Sequence, residues 1–324
     1  MKQLTPFAKF AWSVLLVNIF VILWGAFVRA TGSGAGCGNH WPSCNGTVIP
    51  WSQQIETMIE FTHRLTSGVA LILVIWLMVW AMRLFPPGHH IRTGAILSFV
   101  FITIEALVGA GLVLFELVAY NLSVARAIVV GVHLVNTFIL LTVLTLTAWW
   151  ASGKAPTHWS GRGGLGRAVL AGYVGLLLLG GSGAITALGD TLFPAASLME
   201  GLQQDLSPTA HFLVQLRLYH PLIAIAIGVY TILLANFINA RQATPTTRKI
   251  AKFFTILYVT QLIGGAFNVV LLAPIWMQIV HLLFADFLLI TFVLFIATAF
   301  AQPLLKEDTV ASPTTTKAGE QWLH

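Results

Sequence analysis

Charge is what this sequence has least of. Asp, Glu, Lys and Arg make up 9% of its 324 residues, whereas 57% are hydrophobic. Water-soluble globular chains carry about 25% charged residues, so this chain lacks the polar cover that a fold in water needs. Acid is scarcest, with 11 Asp and Glu against 17 Lys and Arg. The net charge of +6 is spread along the chain and forms no stripe or cluster, which excludes nucleic acid as a partner. Two cysteines exclude a disulfide-rich scaffold and any four-cysteine zinc or iron–sulfur site within the chain.

What the chain has instead is long apolar runs. A bilayer core takes about 20 apolar residues per helix, and eight runs qualify: 10–28, 59–82, 94–117, 126–150, 167–188, 210–237, 250–272 and 276–300. The expected fold is an all-α integral membrane protein of eight transmembrane helices. Short polar connections such as Pro86-Pro87-Gly88 and Ala243-Thr244-Pro245 separate the runs. Basic residues set the orientation. Thirteen of the 17, among them Lys9, Arg83, Arg92, Lys154, Arg167, Arg248 and Lys249, fall on the side that carries both termini. Arg29, Arg64, Arg126 and Arg217 lie on the other side. Both termini are therefore expected in the cytoplasm. The first run is too long for a secretory h-region and reads as a retained helix, with no Arg- and Ser-rich leader before it. The expected location is a bacterial plasma membrane.

Aligning the two halves of the chain shows a repeat. His133-Leu134 matches His281-Leu282 at an offset of 148, Ala106–Gly109 matches Gln261–Gly264 at 155, and His63 matches His220 at 157. Each half has an even number of spans, so the halves run the same way through the bilayer, as a parallel repeat. The expected organisation is two repeated four-helix bundles, 1–153 and 154–301, followed by a disordered cytoplasmic tail over 302–324.

Ionisable side chains inside spans are costly and mark functional positions. Four histidines qualify: His63, His133, His220 and His281, one near the start of every even-numbered span. A single histidine in such a place reads as an interhelical hydrogen bond. Four in a two-fold pattern read as two pairs of axial ligands, each pair holding a haem between helices. Arg64 adjoins His63, Arg126 precedes His133 by seven residues and Arg217 precedes His220 by three. Those spacings place the last two on the histidine's helix face, where arginine can pair with haem propionates. His211 begins the sixth run and competes with His220 as a ligand, but it has no counterpart in the first half.

The repeat breaks at one informative place. The first half reads Glu60-Phe61-Thr62-His63-Arg64, where the second reads Arg217-Leu218-Tyr219-His220-Pro221. A carboxylate one turn from the histidine is a candidate proton acceptor; a salt bridge to Arg64 is the structural alternative. Chemistry is therefore expected in the first half, and a structural or electron-transfer haem in the second. The first loop carries Cys37 and Cys44 on the oxidising side, so a disulfide is allowed there. Glu105 and Asp286 also lie within spans, as neutral interhelical hydrogen-bonding groups or proton relays, and stand outside the expected site.

These residues together resemble the haem A synthase family. The resemblance rests on Gly25-Ala26-Phe27-Val28-Arg29-Ala30-Thr31-Gly32-Ser33-Gly34, on the Gly36-Cys37, Trp41-Pro42 and Cys44 loop, and on Glu60–Arg64. It covers essentially the whole chain, more specifically in the first half. It implies oxidation of the C8 methyl of haem O to a formyl group by successive hydroxylations, giving haem A. Carried over, His63 and His133 would hold the substrate haem and Glu60 would take part in catalysis. His220 and His281 would ligate a resident haem b, and Arg29, Arg64, Arg126 and Arg217 would meet propionates. Some relatives carry a second cysteine pair after the fifth helix; here that stretch, Asp190-Thr191-Leu192-Phe193-Pro194, has none. Two axial histidines leave no open position on the iron, so either one histidine leaves or the bound haem is oxidised and water attacks the activated methyl carbon; water attack, with Glu60 accepting protons, is the expected route. Expected partners are a haem O synthase, the cytochrome oxidase assembly machinery, membrane lipid, an electron acceptor of unknown identity and a second copy of the chain. The competing readings are a non-enzymatic dihaem electron carrier, which leaves Glu60 and the cysteine loop without a role, and a transporter.

Overall fold

Local sequence sets the ends of the helices. Thr5 caps the first helix, accepting from Ala8 N at 3.1 Å with Pro6 in the first turn, where its missing N–H costs nothing. Ser123 accepts from Arg126 N at 3.2 Å. Thr244 and Thr247 exchange side-chain and backbone hydrogen bonds around Pro245. Gly88 turns the Pro86–His89 connection in the left-handed region at φ +80°.

The computed structural model describes residues 3–51, 54–241 and 244–301. Its helices are α1 (Pro6–Ala30), α2 (Ile55–Leu84), α3 (His90–Leu114), α4 (Val124–Ala151), α5 (Gly163–Leu192), α6 (Leu198–Leu206), α7 (Phe212–Gln215), α8 (Tyr219–Arg241), α9 (Pro245–Val270) and α10 (Ile275–Ala299). Short 3₁₀ turns occupy Ser33–Ala35 and Leu216–Leu218. The fold is all-α, with no strand among the described residues. Eight helical stretches are long and apolar enough to cross a bilayer, with α7 and α8 acting as one stretch, Phe212–Arg241. The chain is a multi-pass membrane protein. The tail expected over 302–324 lies outside the described residues.

Two features were not expected from the runs. The long connection after α5 contains α6, which leaves Met199 and Leu206 exposed. The sixth span is also not one continuous α-helix. Its first turns tighten to 3₁₀ at Leu216–Leu218, just before Pro221, which has no N–H for the regular ladder.

Packing follows side-chain size. α1 packs on α2 and α4, and α3 on α2 and α4; α8 packs on α5 and α9, and α9 on α10. α1 and α4 face α5 and α10. Phe254, Phe292, Phe295, Leu141, Leu144 and Leu77 are fully buried in one continuous core. Leu16, Phe20, Ile72, Trp76, Leu178 and Leu233 are exposed on the outer faces, where lipid would be the solvent. Hydroxyls within the spans turn back onto their own helices, as Thr231 does to Ile227 O at 2.7 Å.

Candidate functional site

The four intramembrane histidines come together in two pairs. His63 on α2 and His133 on α4 are close enough for the charge of one ring to be felt by the other. The same holds for His220 on α8 and His281 on α10. Each ring lies against a glycine on a neighbouring helix. A Cβ would come within 2.9 Å of His63 at Gly25, 3.8 Å of His133 at Gly109, 3.0 Å of His220 at Gly183 and 3.2 Å of His281 at Gly265. Small residues let helix backbones approach closely, and here the space gained is filled by imidazole.

The rings are also short of partners. Nδ1 of His63, His133 and His281 is buried and makes no hydrogen bond, while His220 Nδ1 meets Ser182 Oγ at 3.0 Å. Buried polar atoms are nearly always paired. Paired imidazoles with uncommitted nitrogens inside an apolar bundle are the donor set that a bis-histidine haem uses, so these residues fit that group.

Glu60 is not free. It is 3% exposed, accepts from Cys37 N at 2.8 Å and pairs with Arg64, whose Nε lies 3.1 Å away. Arg64 Nη1 also donates to His40 O and Ser43 O at 2.6 Å each. Thr57 Oγ1 donates to Gly36 O at 2.7 Å. Gly36 itself is pressed to the start of α2, since a Cβ there would lie 2.5 Å from the Glu56 backbone. Cys37 and Cys44 form a disulfide with Cα atoms 4.4 Å apart, and both are buried. The loop is thus fastened onto α2 one turn before His63, by Glu60 and Arg64 together. The salt bridge to Arg64, the structural alternative from the sequence, is present.

The other arginines are held by specific partners. Arg29 reaches from α1 to the opposite helices: Ala187 O at 2.6 Å, Thr191 Oγ1 at 2.7 Å and Gln278 Oε1 at 2.8 Å. Arg126 donates to Asn121 O at 2.9 Å and to Ala119 O, with its Nε unpartnered. Arg217 donates to Phe193 O at 2.9 Å and stands 3.5 Å from Asp190 and 3.8 Å from Asp205. Burial on α6 pushes the Asp205 carboxyl above its ordinary range, with Arg217 opposing the shift. His211, the rival to His220, caps α7 through Leu213 N at 3.3 Å and stacks on Phe193 with centroids 4.9 Å apart.

Sequence reasoning set aside one group that the structure places at the site. Glu105 on α3 lies 3.3 Å from His133 Nδ1, although the geometry falls short of a hydrogen bond. Gln261 on α9 stands beside His281 but meets the other ring nitrogen, with its amide hydrogen-bonded to Nε2 at 3.2 Å. Both residues precede by four positions the glycine that faces the histidine, and that spacing is visible in the sequence. In this register Glu105 corresponds to Gln261, one residue from the Ala106–Gln261 match read along the sequence.

The fold and site define a class: a polytopic helical membrane protein whose interior presents two imidazole pairs suited to haem. Residues 8–293 match the family described as Cytochrome oxidase assembly protein. The chain belongs to that family. It is 53% identical over 292 residues to a protein of Thermus thermophilus named Protoheme IX farnesyltransferase, covering 90% of this chain and 48% of that protein. It is 35% identical over 153 residues to a Heme A synthase of Exiguobacterium sibiricum, covering 47% of this chain and 49% of the relative. A Heme A synthase of Bacillus cereus is 43% identical over 128 residues, covering 39% of this chain and 40% of the relative. The chain spans about half the length, or less, of these curated relatives.

Proposed function

We propose that this chain is a haem A synthase, oxidising the C8 methyl of haem O to a formyl group. The observation that carries the reading is the two histidine pairs, each ring seated over a glycine, with the buried Nδ1 of His63, His133 and His281 unpartnered. Family membership and the Heme A synthase relatives support an enzyme of haem A biosynthesis. We assign α1–α4 to one four-helix half, with substrate haem between His63 and His133. The second half, α5 and α8–α10, would hold a resident haem b between His220 and His281. The packing of α1 and α4 on α5 and α10 is what a pseudo-two-fold relation would produce. The loop carrying Cys37 and Cys44 faces the outside of a bacterial plasma membrane in this reading, with the termini in the cytoplasm.

The chain's residues then have definite tasks. His63 and His133 orient the substrate, and Arg126, with an unpartnered Nε, is placed for a propionate. Arg64 and Arg29 already have protein partners, so any propionate they meet would share their remaining N–H groups. Glu60, one turn from His63, takes protons as water adds to the methyl carbon. One methyl and one water give a formyl group, four protons and four electrons. Haem b, when bound, supplies one-electron transfer toward a membrane electron acceptor.

The farnesyltransferase name has a different explanation. Among the described residues no three His, Cys, Asp or Glu side chains gather to hold a metal. The match covers 48% of that Thermus protein; we attribute farnesyl transfer to its remaining part and take a prenylating haem O synthase as the partner that supplies substrate.

Co-expression of this chain with a source of haem O, followed by mass analysis of extracted haems, tests the reading. A formyl haem that disappears in Glu60→Ala and His63→Ala supports it. Haem b alone, with haem O unchanged, leaves the dihaem electron carrier.

A further inference from the structure

The two histidine pairs differ in the group behind one ring of each pair. Glu105 reaches from α3 to α4, where Asn136 Nδ2 donates to its Oε2 at 2.6 Å and the Thr137 hydroxyl donates to its Oε1. Asn136 is anchored in turn to Phe101 O at 3.0 Å. Oε1 then faces His133 Nδ1 at 3.3 Å. Donors converge on both oxygens, so the carboxyl group is fixed as an acceptor toward α4. In the other half Gln261 takes this place, donating to His281 O at 2.9 Å, with its amide 3.2 Å from the ring's other nitrogen, Nε2. The elements correspond: Glu105 and Gly109 on α3 against His133, and Gln261 and Gly265 on α9 against His281. One ring backs onto a carboxylate and the other onto an amide.

Resting on the haem reading above, we propose that Glu105 is a positioning residue for His133. With haem bound, a small turn of the ring lets the carboxyl group 3.3 Å away accept the Nδ1–H, which fixes the tautomer and leaves Nε2 for the iron of the substrate haem. A carboxylate behind a ligating imidazole makes the ring a stronger donor, and a stronger donor favours ferric over ferrous iron. Gln261 brings no charge. The two sites therefore hold haem at different potentials, the first lower than the second, so the second haem is the better oxidant of the two.

The test uses the full chain purified in detergent and loaded with protohaem, read by spectroelectrochemical titration. His133→Ala identifies the first-site haem as the one whose absorbance is lost. Glu105→Gln installs the amide that the chain already accommodates at 261, so packing is retained. It should raise the first-site potential enough to shift the ferrous-to-ferric ratio about tenfold at fixed ambient potential, about 59 mV for one electron, with the second haem unmoved. Gln261→Glu should lower the second potential and leave the first, and this arm decides the matter if Glu105→Gln does not fold. Unchanged potentials in these variants, with both haems bound, overturn the positioning role and leave the haem reading intact. Haem content unaffected by His63→Ala and His133→Ala overturns both.

Discussion

Removing the Glu60 carboxylate should unfasten the Cys37–Cys44 loop from α2, and the structure gives the size of the effect. In Glu60→Ala the buried Cys37 N–H loses its acceptor at 2.8 Å, and Arg64 loses its acid partner. An unsatisfied buried donor costs about 1–3 kcal/mol. Arg64 keeps His40 O and Ser43 O and is partly exposed, so its loss falls well below the ~3–5 kcal/mol of a fully buried broken pair. A local opening penalty of about 2–3 kcal/mol corresponds to roughly 30- to 150-fold in the opening equilibrium. Hydrogen exchange read by mass spectrometry over 33–47 measures it directly, and the rate of disulfide reduction by an added thiol gives a second readout. Glu60→Gln keeps an acceptor for Cys37 N and loses the charge, so it should fall between wild type and Ala. Glu56→Ala, on the same helix but exposed, is the control. Exchange in Glu60→Ala within a factor of two or so of wild type would refute the clasp.

Other outcomes follow from the same contacts. Gly25→Val puts a side chain where His63 lies within 2.9 Å of a Cβ, so it should abolish haem uptake at the first site while leaving the second-site spectrum, as reconstitution with protohaem would show. Arg29→Ala removes three hydrogen bonds that join α1 to α5 and α10; bonds to charged groups are each worth about 1.5–3 kcal/mol, so thermal unfolding in detergent should begin several degrees lower, with Arg29→Lys intermediate. For Asp205, burial raises the folded-state carboxyl, so its contribution to stability is full below the ordinary value near 4, roughly, and is lost as pH rises through the raised one. Asp205→Asn should flatten that segment of the stability–pH curve, and a variant curve that still tracks wild type there would assign the slope to another group.

The spans were legible because their signal is composition over a long window. In lipid every backbone group must be satisfied within a helix, so a run of about 20 apolar residues has one outcome. Proline and glycine punctuated the runs where helices stop, at Pro86-Pro87-Gly88 and before Pro245. The histidines stood out for the same reason, since an ionisable ring in an apolar run needs a cause. α6 was not legible because nine residues of mixed polar and apolar character make no run. The tightening before Pro221 was hidden because hydropathy does not register a missing N–H.

The amino-acid sequence by itself determined the membrane class, the helices and the intramembrane histidines, because burial in lipid is decided residue by residue. Tertiary structure alone decided who faces whom. Three-dimensional packing set Glu60 under the disulfide loop, turned Arg29 across to α5 and α10, and put Glu105 beside His133 and Gln261 beside His281. A one-residue change rotates a helical side chain by about 100°, and in Leu-rich helices neither register scores better than the other. Only the contact between a side chain on one helix and a ring on the next distinguishes them.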